Sequence, residues 1–143
     1  MGPGNAEERS QSYVGQLVAG RYRLNLLLGR GNMSAVYRAA DPEGEPVAIK
    51  ILYPELLDGE AGQRVERDSK LVLGLSHPHL VAALAAGRDE ALGQYLVMPL
   101  LTGRNLDTVL KKERAIEPQV AARLVMQGAN GVAAAHARGL VHR

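Results

Sequence analysis

The sequence contains no cysteine, no phenylalanine and no tryptophan among its 143 residues. Without cysteine, disulfides and thiolate metal sites are excluded, and the chain suits a reducing compartment. With only five Tyr as aromatics, the interior is expected to be built from Leu, Val, Ile, Ala and Met. No apolar run reaches the length of a membrane span, and Met1-Gly2-Pro3-Gly4-Asn5 lacks the apolar core of a signal peptide. A soluble, cytoplasmic location is the expectation. Charge of one sign does not accumulate either: 17 basic residues face 15 acidic ones, net +2, so no nucleic-acid footprint is expected. The length suffices for one ordinary domain with a real core.

What the chain does have is a glycine turn between alternating runs. Gly29 and Gly31 stand between two stretches of strand character, Leu24 to Leu28 and Ala35 to Tyr37. Missing side chains there let backbone N–H groups approach a polyphosphate. A third strand-like run, Val47-Ala48-Ile49-Lys50-Ile51-Leu52, follows the turn-forming Asp41-Pro42-Glu43-Gly44. Side chains alternate along a strand, so Ala48, Lys50 and Leu52 share one face while Val47, Ile49 and Ile51 share the other. A lysine inside such an apolar run needs an anion. Upstream, Tyr22, Leu24, Leu26 and Leu28 are expected to point one way and Arg21, Arg23 and Asn25 the other. Leu28 and Val36 then share a face with Ala48 and leave a flat apolar slot, although ordinary sheet core is the plainer reading of any one of them. Residues 1 to about 12 show nothing periodic to bury and read as a mobile flank.

From Gln63 to Leu75 the period becomes helical, with Val65, Asp68, Val72 and Leu75 on one face. An acid on an inward stripe is costly without a partner, and Lys50 is the candidate. Glu66, the rival, lies about 160° round the helix from Asp68. The alternative is that Asp68 belongs to a solvated face with Glu66, Arg67 and Lys70. His77-Pro78-His79 has no third ligand nearby and reads as a turn, so no metal site is assigned. Two further strand runs, Leu80 to Ala86 and Gln94 to Met98, complete five antiparallel strands with one helix, an α+β arrangement. Beyond them a short helix over Asn105 to Lys112 and a longer one opening at Glu117-Pro118 are expected. The longer helix would bury Ala121, Leu124, Val125, Gly128, Val132 and Ala135. Gly128 and Gly131 weaken it intrinsically, and Gly139 suits its C-terminal cap.

A Gly-rich loop followed by Val36, together with Val47-Ala48-Ile49-Lys50, resembles the serine/threonine protein kinases. Gly31-Asn32-Met33-Ser34-Ala35-Val36-Tyr37-Arg38-Ala39 looks like their bacterial branch. The resemblance implies a nucleotide-binding N-lobe over residues 13–98, a hinge at 99–103 and an incomplete helical C-lobe over 104–143. It also implies ATP with Mg²⁺, and γ-phosphate transfer to hydroxyls of a protein substrate. Leu28, Val36 and Ala48 would hold adenine, with Met98 in the gatekeeper place. Gly29, Gly31 and Lys50 would hold phosphates. Pro99 would offer its carbonyl, and Leu101 its N–H and carbonyl. Asp68 stands where the family places the Glu that pairs with the lysine, one methylene shorter, about 1.5 Å. Ser34 replaces the third glycine of the loop, so a Cβ restricts approach while a hydroxyl is gained as donor. Gly139-Leu140-Val141-His142-Arg143 looks like the start of the His-Arg-Asp catalytic loop, and the Mg²⁺ ligands would lie beyond it. The expectation is a truncated kinase domain that does not itself transfer phosphate. A pseudokinase-like nucleotide-binding or scaffold module is the alternative, suggested by Ser34, Asp68 and the missing catalytic half.

Overall fold

Six strands form among the described residues, one more than the pattern indicated. The computed structural model describes residues 3–57 and 59–141, so Met1, Gly2, Asp58, His142 and Arg143 lie outside the described residues. The chain runs α1 (Pro3–Ser12), β1 (Leu17–Val18), β2 (Tyr22–Arg30), β3 (Ser34–Ala40), β4 (Pro46–Leu52), a 3-10 turn (Pro54–Leu56) and α2 (Gly59–Leu73). It continues through β5 (Ala85–Asp89), β6 (Gly93–Pro99), α3 (Leu106–Glu113) and α4 (Pro118–Ala137). The sheet order is β1-β2-β3-β4-β6-β5, with all neighbours antiparallel. The added strand, β1, is two residues long, too short for alternation to register.

In β3, Ala35, Tyr37 and Ala39 are buried, and in β4 so are Val47, Ile49 and Ile51; these residues form the core with Val18, Leu24 and Val97. The expectation of an interior without aromatics is corrected. Tyr13, Tyr22, Tyr37 and Tyr53 all belong to that core, and Tyr95 packs against it. Tyrosine can serve there because the buried hydroxyls find partners: Tyr37 donates to the Ser10 carbonyl at 2.8 Å, and Tyr53 shares a hydrogen bond with Ser10 Oγ at 2.8 Å.

Strand β2 departs from strict alternation. Register irregularities fall between Leu24 and Leu26 and between Leu27 and Gly29. Each inserted residue turns the following side chains to the other face. Leu24 and Leu27 therefore point to the core, while Leu26 and Leu28 are 54% and 49% exposed. Leu26 does not join Tyr22 and Leu24 as expected.

The edges of the sheet curl together. Ala19, just after β1, donates its N–H to Asp89 Oδ2 at 2.7 Å at the end of β5, and the Tyr22 and Tyr95 rings lie 6.1 Å apart. Asp89 Oδ1 also accepts from the N–H groups of Ala91 and Leu92, both at 2.9 Å. That cap lets β5 run on to Asp89, past the Ala86 at which the strand was expected to end. The strand begins only at Ala85, and residues 80–84 are irregular.

Residues 3–12 form a helix rather than the mobile flank expected, and Ser10 on it is fully buried. Its tie to the sheet is hydrogen bonding, which apolar periodicity does not reveal. Helices α3 and α4 begin where capping chemistry places them. Asn105 Oδ1 accepts from Thr108 N–H at 2.7 Å, and Glu117 Oε2 accepts from Val120 N–H at 3.0 Å. The expected buried stripe of α4 is not buried: Val125 is 72% exposed, Val132 42% and Leu124 39%. The helix is seated instead at Gly131, where a methyl group would stand 2.8 Å from the His79 carbonyl oxygen. Gly139 adopts a φ of 76° beyond the helix end, as its capping role requires.

Candidate functional site

Direct cross-strand partners share a face of a sheet. Val36 pairs with Lys50 and Lys50 with Leu96; Ala48 pairs with Arg38 and with Met98. Val36, Ala48, Lys50, Leu96 and Met98 therefore lie together on the face opposite the core. Ser34, opposite Leu52, continues the same face by the period of two. Lys50 is exposed there, Ala48 is buried, and Val36, Leu96 and Met98 are half-buried. The alternation expected from sequence thus places the lysine above a strip of aliphatic side chains. Leu96 and Gln94 belong to this face as well, and were legible as alternate neighbours of Met98.

Gly29 lies inside β2 rather than in the turn, paired with Val36. A Cβ built on it would meet no atom within 4 Å. The turn itself is closed by Gly31 N–H donating to the Ser34 carbonyl at 2.8 Å and is anchored by Tyr53 N–H on the Met33 carbonyl at 3.1 Å. Leu28 falls at the second irregularity of β2 and is half exposed. Pro99 ends β6 opposite Val47, where a missing N–H is tolerated. Leu101 lies beyond the strand and is 66% exposed.

Helix α2 crosses the same face. Gln94, opposite Leu52 on β4, donates its amide to Ser69 Oγ on α2 at 3.1 Å. Val65, Asp68, Val72 and Leu75 are all half-buried while Glu66, Arg67 and Lys70 are exposed, which is the stripe the helical period indicated. Among the described residues, however, Lys50 takes part in no ion pair, and the carboxylate of Asp68 has Arg67 Nε at 3.9 Å. The structure places Lys50 and Asp68 on facing elements without joining them. Glu66 is committed elsewhere, to Lys70 Nζ at 2.9 Å, whose ammonium holds its carboxyl below the ordinary value. A cleft of about 380 Å³ between α2 and β5–β6, lined by Gln63, Ser69, Arg88 and Gln94 among others, contains none of the expected nucleotide-binding residues.

A curled antiparallel sheet crossed by one helix and continued through a short segment into two helices is the architecture of a kinase N-lobe and the start of its C-lobe. The chain belongs to the protein kinase family: the protein kinase domain model matches residues 22–143. Its relatives include the serine/threonine-protein kinase PkaB of Streptomyces coelicolor, 41% identical over 130 residues, covering 88% of this chain and 30% of PkaB. PknA of Mycobacterium tuberculosis is 35% identical over 136 residues, covering 91% of this chain and 32% of PknA. The crystal structure of the Mycobacterium tuberculosis PknI kinase domain superposes with a TM-score of 0.77 at 26% identity, over 90% of this chain and 54% of that one. The chain thus spans about a third of the length of these curated relatives.

Proposed function

We propose that this chain is the ATP-binding portion of a serine/threonine protein kinase whose complete form transfers the γ-phosphate of ATP to protein hydroxyls. The observation that carries the reading is the placement of Lys50 on one open face with Val36, Ala48 and Met98, beside the Gly31–Ser34 turn. ATP fits these residues: the aliphatic strip excludes water from a flat purine, and the open space at Gly29 admits phosphate oxygens close to the backbone. Bound ATP supplies the phosphoryl group. Lys50 holds phosphate oxygens through its ammonium; Leu28, Val36, Ala48 and Met98 flank the base; Pro99 and Leu101 offer backbone groups to its edge. Asp68, on the inward stripe of α2, is the carboxylate assigned to orient Lys50. Among the described residues no three His, Asp or Glu side chains stand together to hold a metal, so no Mg²⁺ ligand set is assigned and no step is derived through that ion.

A pseudokinase-like binding or scaffold module is the second reading, favoured by two departures from the family pattern, Ser34 in place of the third glycine and Asp68 in place of the usual Glu. Calorimetric titration with ATP separates the readings from a generic α+β domain. The chain is expected to bind ATP, and Lys50→Ala to weaken binding by about tenfold or more, the worth of one charge-assisted hydrogen bond. Equal affinity in the two proteins would overturn the site. In the complete protein, ATP-dependent labelling of a peptide that is lost in Lys50→Ala supports the enzyme, and binding without labelling supports the scaffold.

A further inference from the structure

We propose that α1 is a clasp that fixes where α2 lies across the Lys50 face. The kinase match begins at Tyr22, so this helix lies outside the segment that defines the family. Its contacts converge on one place. Arg9 pairs with Glu55 and sits 5.8 Å from the centre of the Tyr53 ring. The fully buried Ser10 bonds Tyr53 through its hydroxyl and Tyr37 through its carbonyl. Just after the helix, the Tyr13 ring lies 6.4 Å from that of Tyr37. Burial pushes the Tyr37 hydroxyl up to about 12, so it remains a donor throughout the physiological range.

Tyr53 and Glu55 belong to the turn that joins β4 to α2, and that turn packs against the start of the helix. Leu57 is buried and donates its N–H to the Pro54 carbonyl at 3.0 Å. A methyl group on Gly62, in the first turns of α2, would collide with the Leu57 carbonyl. Backbone in such close contact has no room to slide, so holding the turn holds the N-terminal end of α2. Ser69 on Gln94 fixes the middle of the helix, and Arg138 Nη1, donating to the Gly74 carbonyl at 3.3 Å, marks its C-terminal end. Of these three ties, the first is the one supplied from outside the kinase match. Its consequence for Asp68 and Lys50 rests on the nucleotide reading above; its consequence for α2 does not.

Hydrogen exchange on the 143-residue chain tests the clasp. Arg9→Glu and Glu55→Arg are each expected to raise exchange over residues 59–73 about fivefold or more, with β4 unchanged. The double exchange of Arg9→Glu with Glu55→Arg should restore protection, which a merely disruptive substitution would not do. Tyr53→Phe removes one hydroxyl without opening the core and should loosen the same residues less, giving a readout should a charge variant fail to fold. Unchanged exchange over 59–73 in the folded variants, or an even rise across the whole sheet, would overturn the proposal. Titration with ATP separates it from the nucleotide reading. If the parent chain binds ATP, the single variants should bind it severalfold more weakly; if it does not, the nucleotide reading fails while exchange still decides the clasp.

Discussion

Ile49 in β4 and Val125 in α4 are both β-branched aliphatics, yet Ile49 is fully buried and Val125 is 72% exposed. The contrast extends to the regions around them. From β1 to β6 the sheet curls until Ala19 reaches Asp89, and thirteen side chains close into one cluster. Over α3 no residue is buried, and over α4 only Gly131 is. A curled sheet covers its own inner face, whereas an amphipathic helix covers nothing without a partner. The strand region therefore holds the stability of this chain, and the helical region depends on what it touches.

The largest effect that would test this difference is at Ile49. Ile49→Ala is expected to cost about 2–5 kcal/mol, by lost burial and an unfilled cavity. Val125→Ala should stay within about 0.5 kcal/mol, leaning toward stabilisation because Ala is the better helix former. Denaturant midpoints of the two variants measure the gap; comparable losses would mean that α4 is buried in solution.

A smaller effect is expected where the regions meet. At Gly131 a side chain must displace the His79 backbone, with Leu80 Cδ2 only 3.1 Å away. Gly131→Val should cost about 1–3 kcal/mol by overpacking. The damage should be local: faster exchange over 77–80 and 118–137, with β4 still protected. Loss of protection in β4 as well would show that the two regions fold as one unit.

The same comparison explains what the sequence made legible. Val36, Ala48 and Lys50 were readable because strands alternate with a fixed period, Met98 only through the resemblance to kinases, and the Val65-Asp68-Val72-Leu75 stripe because helices have their own period. Irregularities break that code, so the positions of Leu26 and Leu27 were out of reach: a single unpaired residue in β2 reverses a face without leaving a compositional mark. The tie of α1 was hidden for another reason. Ser10 and Arg9 attach it through hydrogen bonds and an ion pair across 43 and 46 residues of sequence, and long-range polar contacts carry no periodicity. In α4 the periodicity was legible but its inference failed, because an apolar stripe states what a helix could bury, not what covers it. Gly131 was read as a weakness of that helix when its missing side chain is what seats it.

The smallest expected effect concerns the closure that makes the strand region self-sufficient. Burial pushes the Asp89 carboxyl up, but the N–H groups of Ala19, Leu92 and Ala91 outweigh it and hold the group below its ordinary value. A carboxyl that ionises more readily in the folded chain adds stability that is fully present above its unfolded pKa, about 3.9, and is lost as pH falls through the lower folded value. Acid should therefore loosen the contact between the β1–β2 turn and the end of β5. Asp89→Asn keeps one acceptor oxygen but no charge, so it should be less stable than the parent at neutral pH and vary less with pH between about 5 and 3. Thermal melts of both proteins across that range check the sign. Parallel curves would mean that Asp89 does not hold the edges together and that the curl of the sheet is set by packing alone.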